Sequence, residues 1–535
     1  MKRLPLALAL LLFTAACHAP APAPPSLERV AVFQKVELAF DRPVDHLAFT
    51  LPGGRIINVP SFPSRGRFLV RFAARVPGAY HWSGGGRQGD FEAVAAAGHG
   101  QVARDPHAAH RLMLTDGTPF WPLGENRFNV YDPTWNYQHQ SIEQYLASMQ
   151  AAGENTLRLF VICDCEDESR ADRVQLGCLE PSPGRFDEAA AERYDRIVDA
   201  AERDGIYVIF GVWAIGFTEG NDTWKSWADN PYRALGSRNQ FFTDESIRRV
   251  AAGKLRYVAA RWGWSTHLLA VDLLNEPEWD GRIPENVWIP WAEKMEKAWR
   301  ADDPFGHLVT AGPVGLQYNL GGDERPWYGY AGDDLVQWHL YGKEFYEPHA
   351  LADEMTRKVR EVWGFDKPIL VGEFGYGGED KTTYDHTHVG IWSATFAGAG
   401  VLMHSAPAFN IDSDEPMTPA RAAHVLGLSR FLASLPPVPF TPGPAEATLG
   451  VRAWSLRAPG VTAVWLLAPL QGYGLPLTGA QVTLPGLDGR WEASFVDELT
   501  SAVLSRVQVS ASAGEPLVVP VPPFIRHLAI RLRRR

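Results

Sequence analysis

A unit made of a short apolar strand, a loop and an amphipathic helix recurs eight times in the middle of this chain, and it limits the fold more than any other feature. Continuously apolar strands that alternate with helices require a parallel sheet covered by helices. Eight units favour a closed (β/α)8 TIM barrel, and a doubly wound open sheet is the alternative. No G-x-G-x-x-G motif follows a strand, which counts against the open sheet. The candidate strands are residues 120–124, 156–162, 206–212, 268–274, 307–311, 335–341, 368–372 and 400–404, and the clearest helices are 187–204 and 244–262.

Two stretches of alternating apolar and polar residues flank these units. Before them, turn formers such as Gly84-Gly85-Gly86 separate short strand patterns over residues 28–97. After Pro436-Pro437 the helical pattern stops, and strand patterns follow at 449–456, 461–467, 481–484, 491–496, 517–521 and 525–532. The predicted fold class is therefore α/β: a TIM barrel over residues 98–436, flanked by an N-terminal antiparallel β-sandwich (28–97) and a C-terminal one (437–535).

The first residues have the pattern of an export signal. Lys2 and Arg3 precede an apolar run over residues 4–13, which is too short to span a bilayer as a helix. The run ends at Thr14-Ala15-Ala16-Cys17, a sequence that resembles a bacterial lipobox. We expect residues 1–17 to be a lipoprotein signal peptide with lipid attached at Cys17, and residues 18–27 to be an Ala/Pro tether. The protein would then be anchored to the outer membrane or cell surface by its lipid alone; ordinary cleavage near the alanines would leave it periplasmic or secreted.

The charge and the cysteine content limit which ligands the chain is expected to bind. The formal net charge is −11 and only residues 531–535 form a basic cluster, so a nucleic-acid partner is not expected. Besides Cys17 the chain has Cys163, Cys165 and Cys178. In an oxidising compartment Cys178 is expected to form a disulfide with one of the other two, because the Cys-x-Cys spacing suits zinc poorly.

Two glutamates stand where a barrel carries its chemistry, at the carboxyl ends of its strands. Strand four ends in Asn275-Glu276-Pro277 and strand seven in Gly372-Glu373-Phe374. Two carboxylates that face one cleft are what glycoside hydrolysis needs, because one protonates the leaving oxygen while the other attacks the anomeric carbon. The 19 Trp and 16 Tyr of the chain also provide flat rings against which sugars stack.

These motifs resemble a known group of enzymes. Asn275-Glu276-Pro, His339-x-Tyr341 and Glu373-Phe-Gly are similar to glycoside hydrolase clan A, close to the cellulase- and mannanase-like family 5. The stretch from Lys254 to His267 resembles a subgroup whose barrel follows an N-terminal β-sandwich domain of unknown function. The resemblance implies a carbohydrate substrate, no cofactor and no metal, and cleavage of a β-glycosidic bond with retention of configuration; we assume a monomer.

The resemblance also implies roles for single residues. Glu276 would be the general acid/base and Glu373 the nucleophile. Arg158 would keep Glu373 ionised, and Tyr341 would donate a hydrogen bond to it. Asn275 would bind the sugar 2-hydroxyl and His339 would line the neighbouring subsite. A transglycosylase with the same site, and a carbohydrate-binding lipoprotein without activity, are the alternative functions.

The sequence departs from the family pattern at the floor of the pocket. Strand three ends in Gly211-Val212-Trp213, where many relatives have a histidine, and strand eight continues through His404-Ser405 instead of a tryptophan platform. We expect either a sugar with an extra substituent beside His404 or a replacement indole, with Trp213 first and Trp392 second. The full set of candidate indoles is Trp213, Trp224, Trp227, Trp279, Trp338 and Trp392.

Histidines occur close together at two places, His107 with His110 and His386 with His388. Neither pair has a carboxylate grouped with it in the sequence, so we interpret them as structural and predict no metal site.

Overall fold

The structure is a computed structural model, and it describes residues 28–127, 141–161, 178–213, 217, 226–279, 282–314, 323–375, 380, 382–404 and 418–535. The predictions for the signal peptide, Cys17, the tether, Cys163, Cys165, Trp224 and Ser405 lie outside these residues. Cys178 is disulfide-bonded. Of the helices in the described ranges, none combines the length and apolarity that a bilayer span requires.

The N-terminal region forms two small sheets whose inner faces share one core. The strands are β1 Glu28–Ala31, β2 Lys35–Phe40, β3 His46–Thr50, β4 Ile56–Pro60, β5 Phe62–Ser64, β6 Arg67–Ala73, β7 Gly78–Gly84 and β8 Arg87–Val94. They pair in the orders β1-β8-β7-β3-β4 and β2-β6-β5, antiparallel except for β1 with β8. Phe49 and Phe72 stack between the sheets with ring centroids 4.2 Å apart.

Eight parallel strands form the barrel, as predicted. A small three-stranded sheet, β9 Val102–Arg104, β10 Leu112–Leu114 and β11 Pro119–Phe120, precedes them. The barrel strands are β12 Leu123–Arg127, β13 Thr156–Phe160, β14 Tyr207–Gly211, β15 Leu268–Asn275, β16 Leu308–Gly312, β17 Val336–Leu340, β18 Ile369–Phe374 and β19 Gly400–His404. Their order is β16-β15-β14-β13-β12-β19-β18-β17. Between β16 and β17 the backbone of Asp334 donates to Val309 at 2.8 Å, and Thr310 Oγ1 donates to the Leu335 carbonyl at 3.0 Å.

The first barrel strand begins later than the predicted range 120–124. Phe120 pairs with Leu112 in the small sheet, and both side chains pack with Tyr207 and Leu269 below the barrel. Pro122, which has no N–H for a strand ladder, separates Phe120 from β12, so one apolar run serves two sheets.

Nine α-helices lie in the described residues. They are α1 Ile142–Ala151, α2 Glu188–Asp204, α3 Arg238–Thr243, α4 Glu245–Trp262, α5 Glu285–Asp302, α6 Arg325–Tyr328, α7 Pro348–Val362, α8 Asp385–Ala397 and α9 Pro419–Ala433. The two predicted helices begin one residue late because Asp187 and Asp244 are their N-caps: Asp187 accepts the N–H of Ala190, and Asp244 those of Ser246 and Ile247.

The C-terminal region forms a six-stranded and a three-stranded sheet. The strands are β20 Thr441–Gly443, β21 Glu446–Ala447, β22 Arg452–Ala458, β23 Val461–Leu467, β24 Gln481–Leu484, β25 Gly489–Val496, β26 Val503–Ala511, β27 Leu517–Pro520 and β28 His527–Arg534. Their orders are β20-β22-β23-β28-β25-β26 and β21-β24-β27. The sequence did not predict β26, an edge strand with no fully buried residue, because it lacks the apolar run by which the others were recognised.

Both flanking regions are attached to the barrel through its helices. On the N-terminal side, Asp195 of α2 accepts hydrogen bonds from Arg71 of β6 and Arg261 of α4, each at 2.7 Å. Burial raises the pKa of Asp195, but the bonds from Arg71 and Arg261 outweigh it and lower that pKa to about 2. On the C-terminal side, α8 packs against β22 and β23, with Trp392 and Trp465 6.1 Å apart between ring centroids.

Candidate active site

Glu276 lies directly after β15, at the carboxyl end of the barrel. Its backbone is in the left-handed region, with φ 44°, and its N–H donates to the Gly312 carbonyl of β16 at 2.7 Å. Just before it, the N–H of Asn275 donates to the Trp213 carbonyl at 2.9 Å. Bonds to both neighbouring strands therefore hold the chain in a conformation that a glutamate rarely adopts.

Arg158 of β13 is fully buried and organises the site. All five of its N–H groups donate: two bonds go to Asp272, at 2.8 and 2.5 Å. The others reach Asn126 at 3.0 Å, Glu373 at 2.5 Å and Asn275 at 2.7 Å. Burial lowers the pKa of Arg158, but the nearby charges of Asp272 and, to a smaller extent, Glu373 raise it by more. The guanidinium is therefore a fixed cation with no spare donor.

Glu373 at the end of β18 has both carboxylate oxygens bound. Oε1 accepts from Arg158, and Oε2 accepts from the Tyr341 hydroxyl at 2.8 Å. His339 stands between the two glutamates, with Nδ1 2.5 Å from Oε1 of Glu276 and 3.7 Å from Oε2 of Glu373. One oxygen of each carboxylate and one nitrogen of His339 all lie within 4.8 Å of one another.

The two glutamates differ in their electrostatic environment. Burial, and next the charge of Glu373, raise the pKa of Glu276 well above its usual range, and the opposing charge of Arg158 does not offset them. Burial lowers the pKa of His339 to about 4, so the imidazole is neutral near pH 7. The 2.5 Å contact then holds one proton between Glu276 and His339. Two carboxylates and an imidazole could ligate a metal, but Arg158 next to Glu373 would repel a cation.

Three residues of this network were not predicted. Asp272 accepts from Arg158 and from Gln337 Nε2, the latter at 3.0 Å, and Asn126 Nδ2 donates to the Gly372 carbonyl at 2.6 Å. Asn126 therefore holds the backbone just before Glu373. Asp272 could have been predicted from the sequence, because Val271-Asp272-Leu273 places a carboxylate inside an apolar strand. A buried carboxylate requires a cation or hydrogen-bond donors beside it.

The aromatic predictions need correction. Trp392 was expected as a replacement platform, but its side chain is 0% exposed and lies between α8 and the C-terminal sheet, so that prediction is wrong. Trp213 is 5% exposed and packs edge-on against Trp291, 5.1 Å away, which leaves almost no ring surface for a sugar.

Trp279, in the turn after Glu276, differs from these because it is 42% exposed. Its backbone N–H donates to the Glu276 carbonyl at 3.0 Å. Among the candidate indoles that the structure describes, Trp213, Trp338 and Trp392 are buried and Trp227 is partly buried, so Trp279 has the most open surface. His404 ends β19, and its side chain lies outside the described part of the chain.

Comparisons with known proteins agree with this architecture. A family model described as Cellulase (glycosyl hydrolase family 5) matches residues 115–403, more than half of the chain. Mannan endo-1,4-beta-mannosidase 3 of rice is 26% identical over 338 residues, which are 54% of this chain and 69% of the rice protein. Probable mannan endo-1,4-beta-mannosidase F of Aspergillus flavus is 27% identical over 298 residues, 50% of this chain and 61% of the fungal protein.

Among solved structures, a putative glycoside hydrolase from Bacteroides vulgatus is similar over 95% of this chain and 100% of its own, with a TM-score of 0.64 and 16% identity. A family 5 glycoside hydrolase from the same organism covers 82% of this chain and 94% of its own, with a TM-score of 0.52 and 14% identity. At such low identity these likenesses support the fold alone.

Proposed function

This chain belongs to glycosyl hydrolase family 5 and is a glycoside hydrolase; on that premise we propose that it cleaves a β-glycosidic bond with retention, using Glu276 as acid/base and Glu373 as nucleophile. The observation that carries the proposal is the spacing of the two carboxylates, whose nearest oxygens lie within 4.8 Å. Retaining enzymes need a separation of about 5 to 5.5 Å between the carboxyl groups, whereas inverting ones leave room for a water between them.

The contacts of each glutamate support this division of roles. Glu373 accepts from Arg158 and Tyr341, and donors on both oxygens favour its charged form and fix the direction of attack. Glu276 has the raised pKa that a general acid requires. Asn275 offers its Oδ1 to Arg158 at 2.7 Å, so its amide NH2 is the group that would donate to the sugar 2-hydroxyl.

The reaction follows from these roles. Glu373 attacks the anomeric carbon and forms a glycosyl ester, while Glu276 gives its proton to the departing oxygen. Glu276, now ionised, takes a proton from water, which attacks the same carbon and releases Glu373. Two displacements on one carbon restore the configuration of the substrate. His339, neutral and hydrogen-bonded to Glu276, would orient that carboxyl in both steps without a net gain of a proton.

We propose a β-1,4-linked mannan as the first substrate to test. The rice and Aspergillus relatives are named as mannan endo-1,4-beta-mannosidases, and Trp279, three residues after Glu276, has an exposed ring on which a sugar could stack. Transfer of the glycosyl unit to a second sugar would use the same two glutamates, and product analysis at high acceptor concentration separates transfer from hydrolysis. Binding of mannan by a wild-type protein that cleaves no β-glycoside would favour the non-catalytic alternative instead.

Azide distinguishes the two glutamates. Glu276→Ala should slow cleavage of mannan at least about a hundredfold. On an aryl mannoside with a good leaving group, azide should attack the ester on Glu373 and give a glycosyl azide of retained configuration. In Glu373→Ala azide should take the place of the nucleophile and give the inverted product.

Glu344→Ala, which removes an exposed glutamate from the short 3-10 helix after β17, is the control and should keep wild-type turnover. Wild-type turnover in a folded Glu276→Ala protein, or an inverted product from the wild type, would refute the assignment.

We also propose export and lipid attachment at Cys17, on the lipobox-like sequence alone.

A further inference from the structure

A second group of metal-ligating side chains lies where the barrel meets the C-terminal sheets. His388 comes from α8, Glu498 follows β25, and His527 begins β28. One ligand atom from each lies within 4.8 Å of the other two. We call these three residues the interface cluster; it shares no residue with the site of Glu276 and Glu373.

The side chains of His388 and Glu498 are buried, that of His527 is 14% exposed, and the three are already in contact. His388 Nε2 is 3.6 Å from Glu498 Oε1, and His527 Nδ1 is hydrogen-bonded to Glu498 Oε2. The rings of His388 and His527 stack with centroids 3.8 Å apart. His388 Nε2 is buried and has no hydrogen-bond partner among the described residues, although Glu498 Oε1 lies 3.6 Å away. A buried polar atom of this kind needs an explanation.

A second layer of side chains holds the cluster from outside. His424 Nδ1 lies 3.0 Å from His388 Nδ1, and Trp465 Nε1 donates to Glu498 Oε1 at 2.8 Å. Asp385 Oδ1 is 3.8 Å from His527 Nε2. When His388 Nδ1 carries the proton for His424, His388 Nε2 has a free lone pair directed toward Glu498. Metal-bound histidines are commonly oriented in this way, through the ring nitrogen that does not bind the metal.

We propose that His388, Glu498 and His527 bind one zinc ion that fastens α8 to the C-terminal sheets. Two imidazoles and one carboxylate are a ligand set that zinc accepts, with solvent as the fourth ligand. Zinc at 2.0–2.2 Å needs its ligand atoms about 3.5 Å apart, which the His388–Glu498 distance matches. Zinc binding requires the stacked imidazoles to rotate, so that the most distant ligand atoms, within 4.8 Å of each other, approach and the hydrogen-bonded atoms His527 Nδ1 and Glu498 Oε2 move apart. Zinc would displace the proton that His527 Nδ1 shares with Glu498.

The experiment uses the full chain, stripped with a chelator and titrated with zinc chloride. We expect one zinc per chain by elemental analysis after dialysis, and a melting temperature several degrees higher in excess zinc. His388→Gln and Glu498→Gln should each lower the zinc content at least fivefold and abolish the thermal shift. His386→Gln changes a buried histidine outside the cluster and should leave both unchanged.

Two further measurements keep the result decisive. Glu276→Gln tests whether zinc enters the active site, and it should retain the metal. If the cluster variants fail to fold, X-ray absorption on the zinc-loaded wild type should show two imidazole ligands and one carboxylate. Less than about one zinc per ten wild-type chains, an unchanged melting temperature, or loss of zinc in Glu276→Gln but not in His388→Gln would overturn the proposal.

Discussion

The buried ion pair between α2 and the N-terminal sheets predicts a measurable loss of stability. Asp195 has a pKa lowered from 3.8 to about 2 and a side chain only 15% exposed. At 1.36 kcal/mol per pH unit, that difference corresponds to about 2 kcal/mol of folding free energy. Asp195→Asn should therefore lower the free energy of unfolding at pH 7 by about this amount, since Arg71 and Arg261 lose their shared counter-charge.

The chain offers a matched control on the same helix. Asp199 also joins α2 to the N-terminal region, through Lys35 at 2.6 Å, but it is 50% exposed. Exposed pairs contribute at most about 1 kcal/mol, so Asp199→Asn should have a much smaller effect. Because the folded-state pKa of Asp195 is lowered, its contribution is present above pH 3.8 and disappears as the pH falls towards 2.

Urea unfolding followed by tryptophan fluorescence at pH 7 and at steps down to pH 2.5 measures both effects. Equal losses for the two variants at pH 7, or a difference between Asp195→Asn and wild type that stays constant down to pH 2.5, would refute the reasoning.

Three further predictions concern the active site and the predicted signal peptide. Trp279→Ala should raise KM for mannan about fivefold, the size of one lost aromatic contact, whereas Trp392→Ala should leave KM unchanged and lower stability by about 3 to 5 kcal/mol; steady-state kinetics and thermal melts separate the two. Wild-type kcat/KM should fall on the alkaline side as Glu276 loses its proton, and this limb should be absent from Glu276→Ala on a substrate that needs no acid. The Cys17→Ser protein, if exported, should appear in the soluble fraction; equal membrane binding would mean that the uncleaved apolar run is the anchor.

The repeating pattern predicted the barrel well because the barrel strands are buried wherever their burial is described, and because α2 and α4 each have one buried apolar face. The first strand was misplaced because the apolar run around Pro122 serves both the barrel and the sheet below it. The edge strand β26 was missed because nothing covers it fully, so its composition gives a weak signal.

Site residues were predictable where a motif follows a strand, and much less so where tertiary packing decides. Glu276, Glu373, Arg158, His339 and Tyr341 are together in one hydrogen-bonded group. The burial of Trp392, by contrast, depends on a sheet about seventy residues further along the chain, which no local pattern reveals. Glu498 is even farther from His388 along the sequence, so His388 was interpreted without this carboxylate.

The left-handed backbone of Glu276 also bears on how such a chain would evolve. A residue with a Cβ pays on the order of 1–2 kcal/mol to adopt φ 44°, and glycine adopts it freely. A lineage released from selection for bond cleavage would therefore become more stable by replacing this glutamate with glycine. Relatives that have lost activity should therefore often have glycine at position 276. A library of variants at this position, selected for thermal stability alone, would be enriched in inactive proteins.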